Sequence, residues 1–134
     1  MPNSSAAEPL TTLEVTWVIC LCAGWCGVCR DYQAIFMQLA KSHPAFRFVW
    51  LDVEDQADLV GDIDVETFPT LLMADAQGTR FFGPVTPQAA ALSRLLHSLQ
   101  NASLQAVPQT LVVRQLLHAL HGAPPAHWIR PQAV

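Results

Sequence analysis

Charged side chains are scarce. Only 13% of the 134 residues are Asp, Glu, Lys or Arg, against about 25% in an average soluble domain. With 51% hydrophobic residues, the surface is expected to be unusually apolar or partly covered by a partner, and self-association is a reasonable expectation. Positive charge is sparsest where a nucleic-acid interface would need it. Asp52, Glu54, Asp55, Asp58, Asp62, Asp64, Glu66 and Asp75 make the middle acidic, and beyond Asp75 the charged residues are Arg80, Arg94, Arg114 and Arg130. An acidic middle repels phosphate backbones and scattered arginines form no basic stripe, which disfavours nucleic-acid binding. The eight carboxylates read most simply as a solvated face. Long hydrophobic runs are also missing. The longest, Trp17 to Ala23, falls far short of the roughly 20 residues that span a bilayer, so no membrane association is expected. Residues 1–9 have no basic segment followed by an apolar one, so no secretory signal is expected and the expected compartment is the cytoplasm. Internal repeats and low-complexity tracts are absent too. Cysteine is absent outside one stretch, Cys20, Cys22, Cys26 and Cys29. Such clustering suits a working dithiol in a reducing cytosol better than a framework of stapling disulfides.

That stretch holds the strongest chemical signal in the chain. In Trp25-Cys26-Gly27-Val28-Cys29-Arg30 two thiols sit three residues apart, directly after an apolar run and directly before a segment of helical pattern. Unpaired N–H groups and the positive end of the dipole at a helix N-terminus favour a charged sulfur, making Cys26 the expected nucleophile. Cys29, one turn further in, can attack a mixed disulfide on Cys26 and release the reduced partner. Trp25, beside the nucleophile, is expected on the partner-binding surface.

Taken in order, residues 1–12 form a lead-in and Leu13 to Ala23 read as a strand buried on both faces. Cys29 to Ser42 place Tyr32, Ile35, Phe36, Leu39 and Ala40 at helical spacing, stopped by His43-Pro44. Phe46 to Val53 form a second strand, parallel to the first through a right-handed crossover. Asp55 to Ile63 suit a short acidic helix. Phe68 to Met73 read as a strand with proline second, Asp75 to Gly78 as a turn, and Thr79 to Phe82 as the returning arm. Thr86-Pro87 read as the N-cap and first residue of a helix running to about Gln100. Gln109 to His121 carry a second stripe, Val112, Val113, Leu116, Leu117 and Leu120, that must be buried somewhere.

This order of elements, with Ala23-Gly24-Trp25-Cys26-Gly27-Val28-Cys29-Arg30 and Thr67-Phe68-Pro69-Thr70, resembles the thioredoxin family over about residues 13–101. The resemblance implies an α/β fold: a central mixed four-stranded sheet flanked by helices, with residues 102–134 as an added C-terminal helical extension. It implies a thiol–disulfide oxidoreductase without a cofactor or metal. Its partners would be protein disulfides and an electron donor not identified by sequence, probed through Trp25, Gly27, Val28, Phe68 and Pro69. It further implies a cis bond before Pro69, whose loop faces the dithiol and lets the Phe68 backbone pair with a substrate strand. A reductase role in cell redox homeostasis is preferred because no export signal is visible.

Three departures stand out. The family's buried aspartate and its lysine partner, which manage the second cysteine's proton, are replaced by Cys20 and Trp50. The usual Gly-Pro between the cysteines is Gly27-Val28, and valine restores an N–H donor near the sulfur. The family's first strand and helix are largely missing ahead of Leu13, and the added tail is a candidate to cover what they would have covered.

Cys20 and Cys22 are expected to pack as small hydrophobes in the strand. An alternative has all four cysteines binding zinc or an iron–sulfur cluster, but C-x-C-x3-C-x2-C is not a standard zinc spacing. His43, His97, His118, His121 and His127 read as solvated or capping residues. A rival function is a binding or chaperone-like module that holds a client on the apolar C-terminal helix. That helix also offers a surface for a homodimer.

Overall fold

A computed structural model describes residues 16–61, 63, 65–75, 78–101, 104–107 and 110–122. The elements in chain order are β1 (Trp17–Cys22), α1 (Gly27–Ser42), β2 (Arg47–Asp52), α2 (Ala57–Val60), β3 (Thr70–Asp75), β4 (Gly78–Pro84), α3 (Ala89–Gln100) and α4 (Leu111–Gly122). The expected lead-in and His127 lie outside the described residues.

The strands form one sheet in the order β2-β1-β3-β4. β1 and β2 run parallel, with Cys20 opposite Trp50 and Cys22 opposite Asp52. β3 lies antiparallel to β1, and β4 antiparallel to β3. This is the mixed four-stranded sheet that the sequence implies. Every residue of β1 is buried, because it lies between two strands and beneath helices on both faces. Side chains alternate across a strand, so β1 divides its residues between two cores. Val18, Cys20 and Cys22 join Tyr32, Phe36 and Ala40 of α1, Phe48 of β2, Leu71 and Met73 of β3, and Leu92 and Leu96 of α3. Trp17, Ile19 and Leu21 join Val49, Leu51, Val60, Ile63 and Leu72, together with Val113, Leu116 and Leu120 of α4.

The apolar stripe on the C-terminal helix therefore has its burial place on the second face of the sheet. An isolated bridge between Thr79 and Val107 ties the connection leading to α4 onto β4. Arg80 reinforces it, its Nη1 donating to the Leu104 carbonyl at 3.1 Å while its Nε pairs with Asp75 at 2.9 Å.

Several boundaries differ from expectation, the short helix spanning only Ala57–Val60 within the expected Asp55 to Ile63 and β4 extending to Gly78–Pro84. β1 starts at Trp17, among the described residues. β3 starts at Thr70, after the cis bond between Phe68 and Pro69, since proline has no N–H to give a ladder. α3 begins at Ala89 rather than at Pro87: Gln88 is extended, with φ −127° and ψ 139°, and its N–H is held by the Thr86 carbonyl at 2.8 Å. That bond leaves Thr86 and Pro87 outside the helix. His43 caps the end of α1, as expected of it, with its ring Nδ1 donating to the Leu39 carbonyl at 3.0 Å.

Candidate active site

The strand-to-helix junction brings the cysteines together. β1 ends at Cys22, the Cys26 N–H closes a turn onto the Ala23 carbonyl at 3.0 Å, and α1 begins at Gly27 with Cys26 as its N-cap. Cys26 has no side-chain capping bond, is partly exposed, and is a free thiol. Its sulfur therefore sits where the first N–H groups of α1 are unpaired. Cys29, one turn into α1, is buried at 1% exposure.

The pairing differs from the sequence-based expectation. Cys29 is disulfide-bonded to Cys22, their Cα atoms 5.8 Å apart, within the range that a disulfide spans. Cys22 is thus more than a small hydrophobe. The cause is geometric: the last residue of a central strand and the first inward-facing position of the helix that follows it point into the same core. Cys20 lies two residues back on the same face. Its thiol donates to the Cys22 sulfur across 3.8 Å, and burial pushes its pKa well up, which keeps it neutral. Among the described residues no group of three or more His, Cys, Asp or Glu side chains is arranged to hold a metal ion.

Cys20 and Trp50, in place of the family's aspartate and lysine, form an apolar contact layer. Trp50 is half-buried and packs against Phe36, with centroids 5.6 Å apart, and Tyr32, at 6.5 Å. The Tyr32 hydroxyl is buried without a hydrogen-bond partner among the described residues. Burial, and secondarily the neighbouring Cys20, hold its pKa far above the ordinary value.

Outside the junction, Trp25 is 64% exposed yet anchored. Its indole N–H donates to Glu54 Oε2 at 3.0 Å, and its ring meets Phe68 edge-on at 5.7 Å. Phe68 thereby brings the Pro69 loop beside the cysteines, and Cys26 packs against the same core as Phe68. Gly27 and Val28 are exposed next to them, while Pro69 is buried.

The floor of this surface is Asp52, which the sequence reading treated only as one of a run of acids. Its Oδ1 accepts the N–H of Glu54 at 2.8 Å and of Asp55 at 3.0 Å. Burial alone would raise its carboxyl, but the N–H groups of Asp55, Glu54 and Gly24 together outweigh it and hold the pKa below the ordinary value. A Cβ at Gly24 would stand 3.0 Å from Asp52 Oδ2, so a larger residue there would push the carboxylate aside by a few tenths of an ångström. Asp52-x-Glu54-Asp55 is an Asx-turn pattern, a signal through which the sequence could have revealed the anchor.

A family model described as thioredoxin matches residues 6–96. The chain belongs to the thioredoxin family. It is 38% identical over 50 residues to a thioredoxin H-type of Picea mariana, a match covering 37% of this chain and 40% of that protein. It is 25% identical over 93 residues to a putative thioredoxin 2 of Streptomyces coelicolor, covering 69% of each. Several other curated relatives are likewise matched over less than half of their own length. In structure it resembles the oxidised mitochondrial thioredoxin 3 of Saccharomyces cerevisiae, with a TM-score of 0.56, 23% identity, and coverage of 70% of this chain and 88% of that one. That likeness supports the shared fold.

Proposed function

We propose that this thioredoxin-family chain is a thiol–disulfide oxidoreductase acting on protein disulfides, working as a reductase in cytoplasmic redox homeostasis. The observation that carries the reading is the free, partly exposed Cys26 at the N-cap of α1, bordered by Trp25, Gly27, Val28, Phe68 and Pro69.

With Cys29 in its thiol form, the cycle has two exchange steps. The Cys26 thiolate attacks one sulfur of the substrate disulfide, forms a mixed disulfide, and expels the other substrate sulfur as a thiolate that takes up a proton. Cys29 then loses its proton and attacks the Cys26 sulfur. A Cys26–Cys29 disulfide forms and the second substrate thiol leaves. Two electrons pass to the substrate, and an external electron donor restores the dithiol. The Phe68 backbone is the candidate edge for a substrate strand, and the exposed Trp25 ring and Val28 supply apolar contact.

We place the family's domain at residues 13–101 with residues 102–134 as its extension. Burial of Val113, Leu116 and Leu120 against the sheet supports a structural role for α4 over a client-binding one. A homodimer through α4 would have to use its outer face, such as Leu111, 63% exposed.

Insulin reduction tests the function: wild type is expected to precipitate the insulin B chain in the presence of dithiothreitol, and Cys26→Ser is not. Equal activity of the two proteins would sink the assignment.

A further inference from the structure

Cys29 has two candidate sulfur partners and can bond only one at a time. Cys26 is three residues before it, at the mouth of the site, and Cys22 is beneath it at the end of β1 with Cα atoms 5.8 Å apart. The two alternatives differ in environment. Cys22 is 0% exposed and Cys29 1%, whereas Cys26 is partly exposed and, in the structure, free. Cys26 is thus the surface sulfur and Cys29, Cys22 and Cys20 are the buried ones, with the Cys20 thiol donating to Cys22 at 3.8 Å.

We propose that Cys22 is a third redox-active cysteine, which takes Cys29 from Cys26 so that the oxidised protein stores its disulfide inside the core and keeps Cys26 as a free surface nucleophile. This rests on the oxidoreductase reading for how the first disulfide arises. The transfer is an intramolecular exchange. The Cys22 sulfur, as thiolate, attacks the Cys29 sulfur of the Cys26–Cys29 disulfide; the Cys22–Cys29 bond forms, the Cys26–Cys29 bond breaks, and Cys26 leaves as a thiolate. The proton lost by Cys22 is balanced by the one Cys26 gains, and no external oxidant or reductant is consumed. Cys26 is the better leaving group, since its departing charge forms at a helix N-terminus open to water. In the reverse direction Cys20, a neutral thiol, is placed to hydrogen-bond the Cys22 sulfur as it departs.

Two consequences follow. The oxidised chain can still form a mixed disulfide through Cys26 but has no Cys29 thiol to resolve it, so a second partner stays covalently attached until a thiol from outside arrives. Reductants reach the buried bond by way of Cys26, which attacks Cys29 and returns the disulfide to the surface.

Connectivity can be read directly on the full chain. The wild-type protein is fully reduced, oxidised with limiting oxidised glutathione, and its free thiols are alkylated in mild acid. It is then cut by chymotrypsin and trypsin, and cleavage after Leu21, Trp25 and Arg30 puts Cys20, Cys22 and the Cys26/Cys29 pair on separate peptides. The expected main product is Cys22-Ala23-Gly24-Trp25 linked to Cys29, with Cys26 alkylated. A main product in which Cys26 and Cys29 are joined and Cys22 is alkylated overturns the proposal. The Cys26→Ser variant supplies a kinetic readout: its Cys22–Cys29 bond is expected to be reduced by dithiothreitol about tenfold or more slowly than in wild type, and equal rates would refute the surface route. Neither readout uses insulin turnover, so failure of the reductase assignment leaves the connectivity answer intact and distinguishable.

Discussion

The indole N–H of Trp25 donates to Glu54 Oε2 at 3.0 Å, joining the residue before the nucleophile to the segment after β2. An exposed tryptophan would otherwise sample several rotamers, and each binding event would have to order it. The bond, with Phe68 edge-on at 5.7 Å, presents the ring in one orientation. Replacing Glu54 by Ala removes the acceptor, worth about 0.5–1.5 kcal/mol. The expected result is a roughly two- to tenfold fall in kcat/KM for a protein disulfide, chiefly through KM, with Glu54→Gln restoring most of it because its amide oxygen still accepts. Equal kcat/KM in Glu54→Ala and wild type would show that the ring's orientation does not matter.

Asp52 ties the floor of the site to pH. Its folded-state pKa lies below its ordinary value because N–H donors from Asp55, Glu54 and Gly24 outweigh burial. A depressed carboxyl contributes stability above its unfolded value, about 3.9, and loses it as pH falls through the folded value. Wild type is therefore expected to exceed Asp52→Asn in urea-unfolding free energy near neutral pH. That difference should shrink steadily below about pH 4. A difference independent of pH would mean that the carboxylate charge contributes nothing.

The two halves of the site were unequally legible in the sequence. Cys26, Cys29, Trp25 and Pro69 are close to their neighbours in sequence or carried by local motifs, and the apolar run of β1 gave its burial on both faces directly. The Cys22–Cys29 bond was not legible, because a cysteine in a strand looks the same whether it faces a helix or a second cysteine; only the crossing of β1 and α1 decides it. The place where α4 buries its stripe was legible only in outline, through the missing first strand and helix whose place the tail was a candidate to take. Helical spacing says that Val113, Leu116 and Leu120 need a partner, but not that the uncovered face of β1 and β2 supplies it. Trp25–Glu54 escaped notice since it joins residues 29 apart.

Tyr32 offers a test of how the apolar layer replaces the family's ionisable pair. Its ring is fully buried beside Trp50 and Phe36, while its hydroxyl has no partner among the described residues. A buried polar group left unpaired costs about 1–3 kcal/mol. Tyr32→Phe keeps the ring and removes the hydroxyl, so the variant is expected to be more stable by roughly that amount, read from denaturant unfolding. A destabilised variant would reveal that the hydroxyl is held by a partner in solution.

The role of α4 separates the enzyme reading from the client-binding one. Leu116 is 1% exposed in the core shared with Trp17, Ile19 and Leu51, whereas Leu111 on the same helix is 63% exposed. If α4 is part of the fold, removing a buried side chain leaves a cavity, and Leu116→Ala should lower unfolding free energy by about 2–5 kcal/mol. Leu111→Ala, which empties no cavity, should stay within about 0.5 kcal/mol of wild type. The comparison has a sharp opposite outcome. Were α4 to leave the sheet in solution to hold a client, Leu116 would be no more buried than Leu111, and both substitutions would leave the unfolding midpoint where it is. Because the second core also contains β1, loosening it should reach Cys22 and lower the unfolding temperature of the whole domain in one transition, not release the helix alone. Calorimetry showing a separate low-temperature transition for α4 would place the helix outside the cooperative unit.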